Sequence, residues 1–116
     1  MTSVRELPGL PGAELSAVVF VRDYIQLQFD GPLLTAITLP TVVLGSVVWR
    51  SGEAGYRDPL CAQIGKTVRT AVATEAKAIE IVFADDSSIR ISLNKADYCA
   101  AEAAVFRQNP DDLWVW

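Results

Sequence analysis

Two stretches of the chain repeat one alternation of apolar and polar residues. Residues 24–31 read YIQLQFDG, and residues 78–85 read AIEIVFAD. Successive side chains of a β-strand point to opposite faces of the sheet, so the apolar residues of each stretch share one face. The alternation therefore predicts two half-buried strands and a fold made mainly of antiparallel sheet. The residues expected in the common core are Ile25, Leu27, Phe29, Ile79, Ile81 and Phe83.

The two stretches lie within two predicted antiparallel meanders. The first meander spans residues 15–49 and the second spans residues 66–94, and both consist of short runs rich in β-branched residues. The residues that tight hairpin turns favour are supplied by Asp30-Gly31 in the first meander and by Asp85-Asp86-Ser87 in the second. Each meander should bury one face of its sheet.

The meanders also share residues when they are aligned without a gap. Residues 16–29 set against residues 70–83 give identical residues at Ala17/Ala71, Val18/Val72, Ile25/Ile79 and Phe29/Phe83. An internal duplication of a three-stranded meander would explain these identities. Chance would explain them as well, because all half-buried strands favour the same β-branched alternation.

Three other segments complete the predicted domain. Residues 1–14 contain two Pro-Gly pairs and are expected to form an irregular arm. Residues 50–65 should form a loop and then a short helix, with Asp58 as its N-cap and Pro59 at its first position. Residues 95–116 are alanine-rich before they end in DDLWVW, which predicts a helix followed by a terminal strand.

These elements together predict a single α+β domain over residues 1–116. About six to eight short antiparallel strands are expected from the number of strand-like runs. They would curl into a roll or a partly open barrel, with one or two short helices covering an open side.

The charge and the residue types exclude several classes of function. The net charge is −4, whereas nucleic-acid binding depends on clustered Lys and Arg. The chain contains no histidine, which is the commonest general base and metal ligand. The acidic pairs Asp85-Asp86 and Asp111-Asp112 lie where turns are predicted. We therefore expect no nucleic-acid partner, no catalytic residue, no cofactor and no metal site.

The chain is expected to be cytoplasmic and not to enter a membrane. Residues 31–49 carry no charge, but Pro32, Pro40 and the many valines favour buried strands over a spanning helix. Arg5 and Glu6 interrupt the apolar run that a secretory signal would need.

The loop GEAGYRDPLC, residues 52–61, concentrates side chains suited to binding. In a functional interpretation, Arg57 clamps an anion, Tyr56 makes an amphipathic contact and Cys61 is a reactive thiolate. In a structural interpretation, Asp58 caps a helix, Arg57 pairs with an acid and Cys61 packs inside. Both interpretations stay open.

The remaining candidates are two tryptophans and the cysteines. Trp114 and Trp116 flank Val115, so a terminal strand would place both indoles on one side. They would either pack onto the domain or bind a ligand or partner. Cys61 and Cys99 have neither CxxC nor metal-ligand spacing. We expect two free, buried thiols, and a disulfide between them is the alternative that the sequence leaves open.

Several segments resemble a group of small uncharacterised bacterial proteins that share a domain of unknown function. The similar segments are DYIQLQFDG, GYRDPLC, IGKTV, IEIVFADDSSIRISL and WVW, and they span most of residues 16–116. Many hairpins of the group have a turn glycine where this chain has Asp86. The resemblance implies no reaction and no functional residues.

A non-enzymatic interaction protein is the first functional hypothesis. Hydrophobic residues make up 51% of this short chain, so some apolar surface should stay exposed and join copies into a homo-oligomer, with a dimer favoured. One alternative is an acidic immunity-type or antitoxin-type inhibitor of a basic partner protein. Another is a small-ligand-binding protein or enzyme that uses the loop from Tyr56 to Cys61.

Overall fold

The computed structural model describes residues 3–116, which form eleven β-strands, one short α-helix and one 3-10 turn. The strands are β1 (Val4–Glu6), β2 (Ala17–Val21), β3 (Tyr24–Gln28), β4 (Leu33–Ala36), β5 (Thr41–Leu44), β6 (Val47–Trp49), β7 (Val68–Thr74), β8 (Ala78–Phe83), β9 (Ser88–Ser92), β10 (Ala104–Asn109) and β11 (Asp112–Val115). Helix α1 spans Arg57–Cys61, and the 3-10 turn spans Lys95–Asp97.

The strands form two antiparallel sheets. The large sheet has the order β1-β7-β8-β9-β5-β6, and the small sheet has the order β11-β10-β4-β3-β2. The predominance of antiparallel sheet is as predicted, but the number of strands exceeds the prediction and the sheets are not closed into a barrel. The prediction fell short because it missed β1 and β10 and read β5 and β6 as one strand.

The inner faces of the two sheets enclose one hydrophobic core. The small sheet contributes Ile25 and Leu27, and the large sheet contributes Ile79 and Ile81, all of which are buried. Phe29, just beyond the end of β3, and Phe83, the last residue of β8, are fully buried too. The alternation in the sequence therefore identified the core-facing residues of both meanders correctly.

The first predicted meander, residues 15–49, is divided between the sheets, so the three-stranded meanders of the structure are β2–β4 and β7–β9. Each receives a hairpin from the other half of the chain. The later hairpin β10-β11 extends the sheet of β2, β3 and β4 by pairing with β4, whereas the earlier hairpin β5-β6 extends the sheet of β7, β8 and β9 by pairing with β9. The segment between β4 and β5 contacts the segment between β9 and β10. The backbone N–H groups of Ile37 and Thr38 donate to the Ala103 carbonyl at 2.8 and 2.9 Å. The two halves thus exchange hairpins.

Backbone pairing corrects the gapless alignment of the meanders. Ile25 pairs with Phe20, and Ile79 pairs with Ala73. Phe20 therefore corresponds to Ala73 and not to Thr74, because the β7–β8 turn is one residue longer than the β2–β3 turn. The alignment is right for β3 and β8 but one residue out of register for β2 and β7.

The predicted C-terminal helix is wrong. Residues 104–109 are strand β10, in which Ala104 and Phe106 are buried and pair with β4. The helix prediction relied on alanine propensity, which is weak compared with pairing to an open sheet edge and burial of a phenylalanine. The terminal strand that was predicted after it is present as β11.

The N-terminal arm is more ordered than predicted. Strand β1 pairs with β7 through Arg5 and Ala73, and Leu7, Leu10 and Leu15 are fully buried. The Pro-Gly pairs therefore mark turns between buried leucines and not a loose segment. Leu7 and Leu10 of this arm are part of the hydrophobic core.

Helix α1 begins earlier than predicted. Its N-cap is Tyr56, Asp58 lies inside the first turn, and no side chain caps it. Pro59 is accommodated there because backbone N–H groups of a first helical turn have no partner within the helix. No helix within residues 3–116 is long and apolar enough to cross a membrane.

Candidate functional site

A cleft of about 450 Å³ opens beside helix α1. The end of β2 and its turn form one side, and the loop after β6 with the first two residues of α1 forms the other. β2 and β6 are edge strands of the small and the large sheet, so the cleft lies where the two sheets part. A concave site of this size is in the range that holds small ligands.

The floor of the cleft is apolar. It is formed by Phe20 from β2, Ile25 from β3 and Leu39 from the crossover to β5. Ile25 is part of the hydrophobic core, and Phe20 packs against it. Because Leu39 is exposed, an apolar group of a ligand would cover it and lose contact with water.

Tyr56 anchors the loop that forms one wall. Only 8% of its surface is exposed, and its phenol donates a hydrogen bond to the Pro40 carbonyl. Burial raises the pKa of Tyr56 far above its ordinary value. Gly52 and Gly55, with φ angles of +90° and +80°, allow the loop to turn tightly before Tyr56. Tyr56 is therefore a fixed part of the wall.

Four charged side chains line the cleft: Arg22, Glu53, Arg57 and Asp58. All four are exposed, and the ion pairs among residues 3–116 involve none of them. Arg57 lies over the Phe20 ring, with 5.0 Å between its guanidinium carbon and the ring centroid. This cation–π contact holds one positive group above the apolar floor.

The structure brings together some of the predicted site residues but not all. Tyr56, Arg57 and Asp58 line the cleft, whereas Cys61 lies on the exposed surface of α1 and is absent from the lining. Sequence reasoning missed Phe20 and Arg22, which lie far from this loop in the chain. The charged turn Arg22-Asp23 was visible, but nothing in the sequence places it beside residues 51–58.

The terminal tryptophans support the core. Trp114 packs edge-on against Phe106 with ring centroids 5.7 Å apart, and Trp116 packs against Trp114 at 6.0 Å. The guanidinium carbon of Arg5 lies 3.7 Å from the centroid of the Trp114 ring. Both indoles pack against the hydrophobic core, which agrees with the prediction that they lie on one side of the terminal segment. This placement favours the packing interpretation.

The prediction that both cysteines are buried is wrong. Cys61 and Cys99 are free and exposed. Cys99 follows the 3-10 turn, and its thiol donates to the Ile37 carbonyl at 3.3 Å. The prediction followed the general preference of free cysteine for the interior, which is overridden here because both residues lie in short surface segments.

The outer face of the small sheet is a second candidate. It is defined here by two rows of paired residues that cross all its strands. The first row is Val19, Gln26, Thr35, Val105 and Val115, and the second is Ala17, Gln28, Leu33, Arg107 and Leu113. Arg107 is the single charged residue in these rows. Leu113 and Val115 are 49% and 51% exposed.

The outer face of the large sheet carries charges in its central row, whereas its row of Thr70, Val82, Ser88, Val43 and Val48 carries none. Its central row contains Glu6, Glu80 and Arg90, and Arg90 forms an ion pair with Glu80 at 3.4 Å. Exposed sheet faces normally carry polar and charged residues of this kind. The outer face of the small sheet departs from that expectation.

Comparison of the chain with protein-family models, with curated proteins and with solved structures finds no significant match.

Proposed function

We propose that the protein is a non-enzymatic interaction module that forms a homodimer through the outer face of the small sheet. The observation that carries this proposal is the row from Val19 to Val115, which crosses every strand of the sheet without a charged residue. Charged residues are depleted at the centres of protein interfaces, as they are in this row.

Charge favours a second copy as the occupant of this face. Each copy carries a net charge of −4, so two copies repel each other over most of their surface. The two rows contain no carboxylate, so an approach through them places no acidic side chain of these rows against the second copy. Two identical faces of mainly apolar and uncharged residues, related by a twofold axis, are also self-complementary in composition.

The size of the face is compatible with a weak dimer. Strands about 4.8 Å apart and about five residues long give a projected area on the order of 400 Å² per copy. Stable complexes bury about 800 Å² of accessible surface per partner, and accessible surface exceeds projected area because side chains are corrugated. We expect dissociation in the micromolar range.

Sedimentation velocity across micromolar concentrations tests the proposal. The wild type should shift from monomer to dimer, and Val105→Glu should stay monomeric because it places carboxylates at the centre of the interface. Val82→Glu is the matched control, because Val82 is a half-buried valine on the outer face of the large sheet.

Gln26→Glu provides a second variant that preserves shape and changes only charge within the same row. It should weaken the dimer even if Val105→Glu fails to fold. A wild type that remains monomeric throughout, or a dimer that Val82→Glu weakens as much as Gln26→Glu does, would overturn the proposal.

A further inference from the structure

We propose that the cleft beside α1 binds a small zwitterion with a large apolar side chain, of the class of free α-amino acids such as phenylalanine or leucine. The proposal is independent of the homodimer. It assigns a ligand class to a site made of Phe20, Arg22, Glu53, Arg57 and Asp58.

The charges in the cleft are of both signs. Arg22 and Arg57 can donate hydrogen bonds to a carboxylate, and Glu53 and Asp58 can accept them from an ammonium group. None of the four forms an ion pair with another residue within 3–116. A simple anion would use the arginines and leave both carboxylates beside its own charge. A zwitterion uses both sets.

The floor supplies the apolar part of the site. Phe20, Ile25 and Leu39 lie in the same cleft as the four charged groups. A polar zwitterion such as glycine would leave Leu39 exposed, whereas a large aliphatic or aromatic side chain would cover it. The favourable free energy scales with the apolar area removed from water, so larger apolar side chains should bind more tightly.

The wall is already formed without a ligand. Tyr56 is hydrogen-bonded to Pro40, and Arg57 is held over Phe20. Fixed groups lose less conformational freedom on binding than mobile ones, so this arrangement favours affinity. Arg22 and Asp58 are exposed and can adjust to the ligand. Glu53 already accepts a hydrogen bond from the backbone N–H of Arg50.

Isothermal titration with L-phenylalanine, L-leucine and glycine tests the class. Phenylalanine and leucine should bind, and glycine should bind at least tenfold more weakly. N-acetylphenylalanine, which lacks the ammonium group, and phenylalaninamide, which lacks the carboxylate, should each bind about ten- to a hundredfold more weakly than phenylalanine.

Two variants locate the site without touching the core. Arg57→Gln should weaken phenylalanine binding through the carboxylate, and Asp58→Asn should weaken it through the ammonium group, each about tenfold or more. Arg69→Gln is the control, because Arg69 is exposed and pairs with Asp86 away from the cleft.

The outcomes separate cleanly. Binding of phenylalanine that both cleft variants weaken and Arg69→Gln leaves unchanged supports the proposal. No binding by the wild type at millimolar phenylalanine overturns it. Binding that only one of the cleft variants weakens also overturns it, since the ligand would then be recognised through a single charge.

Discussion

Trp49 and Trp114 occupy corresponding places in the two sheets. Trp49 pairs with Val42, which pairs with Ile89 of the second meander, whereas Trp114 pairs with Phe106, which pairs with Leu34 of the first. Each tryptophan thus lies on the last strand of a hairpin that the other half of the chain contributes. The arrangement supports the hypothesis of an internal duplication in which the two hairpins were exchanged.

Hairpin exchange predicts that the two halves of the chain cannot fold separately. A break after Gly52, in an exposed loop, should leave fragments 1–52 and 53–116 that fold only together. Each fragment alone leaves one edge of its own meander without the hairpin that pairs with it. Co-purification and near-ultraviolet circular dichroism of the mixed and separate fragments would measure this.

The separate fragments are the control for that experiment. If fragment 1–52 alone gave a dispersed amide spectrum by NMR, its meander and hairpin would have paired with each other. The exchange would then be unnecessary for folding, contrary to the prediction.

Substitutions at the strand centres should show how strongly alternation determines stability. Leu27→Ala and Ile81→Ala remove fully buried side chains and should each lower the free energy of unfolding by about 2–5 kcal/mol. Gln26→Ala and Glu80→Ala, on the opposite faces of the same strands, should change it by about 0.5 kcal/mol or less. Urea denaturation measures all four.

An equal loss of stability on both faces of either strand would contradict this expectation. It would mean that the outer residue of the pair packs as tightly as the inner one. For Gln26, urea denaturation at protein concentrations below the dissociation constant of the proposed dimer separates an effect on folding from an effect on dimerisation.

The core could be predicted from the sequence because a strand's period-2 pattern is local. Ile25, Leu27 and Phe29 follow one another at two-residue spacing, and their burial follows from strand geometry alone. The partners of the strands could not be predicted, since nothing local to Thr41 indicates that it pairs with Arg90 and not with β4. Long-range pairing decided the topology.

The prediction of a helix in the C-terminal segment failed for a related reason. Helical spacing and alanine content around Ala103 were read as a helix, but the open edge of β4 offers Phe106 a partner in Leu34. Tertiary pairing overrides a weak local preference. The cleft was missed in part for the same cause, because Arg22 reaches it only once the two sheets assemble.

Acid should weaken the hydrogen bonds and the ion pair that join the turn after α1 to the β8–β9 turn. Lys66 donates to Gln63 at 2.8 Å and pairs with Asp85 at 2.7 Å, and the Ser87 backbone N–H donates to Asp85 at 3.0 Å. The hydrogen bonds from Lys66 and then from Ser87 hold the pKa of Asp85 well below its ordinary value. Its stabilising contribution is therefore present above about pH 4, the unfolded-state pKa, and is lost as the pH falls further.

Asp85→Asn isolates this contribution. The variant should be less stable than the wild type near neutral pH, and the difference should narrow as the pH falls below about 4. Asp86→Asn is the control, since Asp86 is exposed and pairs only with Arg69 among residues 3–116. Urea denaturation at a series of pH values gives both curves, and a constant difference at every pH would contradict the assignment.

Alkali should weaken the fold through Tyr56. Burial raises the pKa of Tyr56, so the neutral phenol stabilises the folded state below the ordinary tyrosine pKa of about 10, and this contribution is lost as the pH rises. Tyr56→Phe leaves the Pro40 carbonyl without its donor and should cost about 1 kcal/mol at neutral pH. Because phenylalanine cannot ionise, the stability difference from wild type should shrink above about pH 10.

Urea denaturation gives the difference, and tyrosinate absorbance should show one phenol that ionises only as the wild type unfolds. Ionisation of all the tyrosines in the folded protein would show that Tyr56 is open to solvent, and the wall of the cleft would then be mobile.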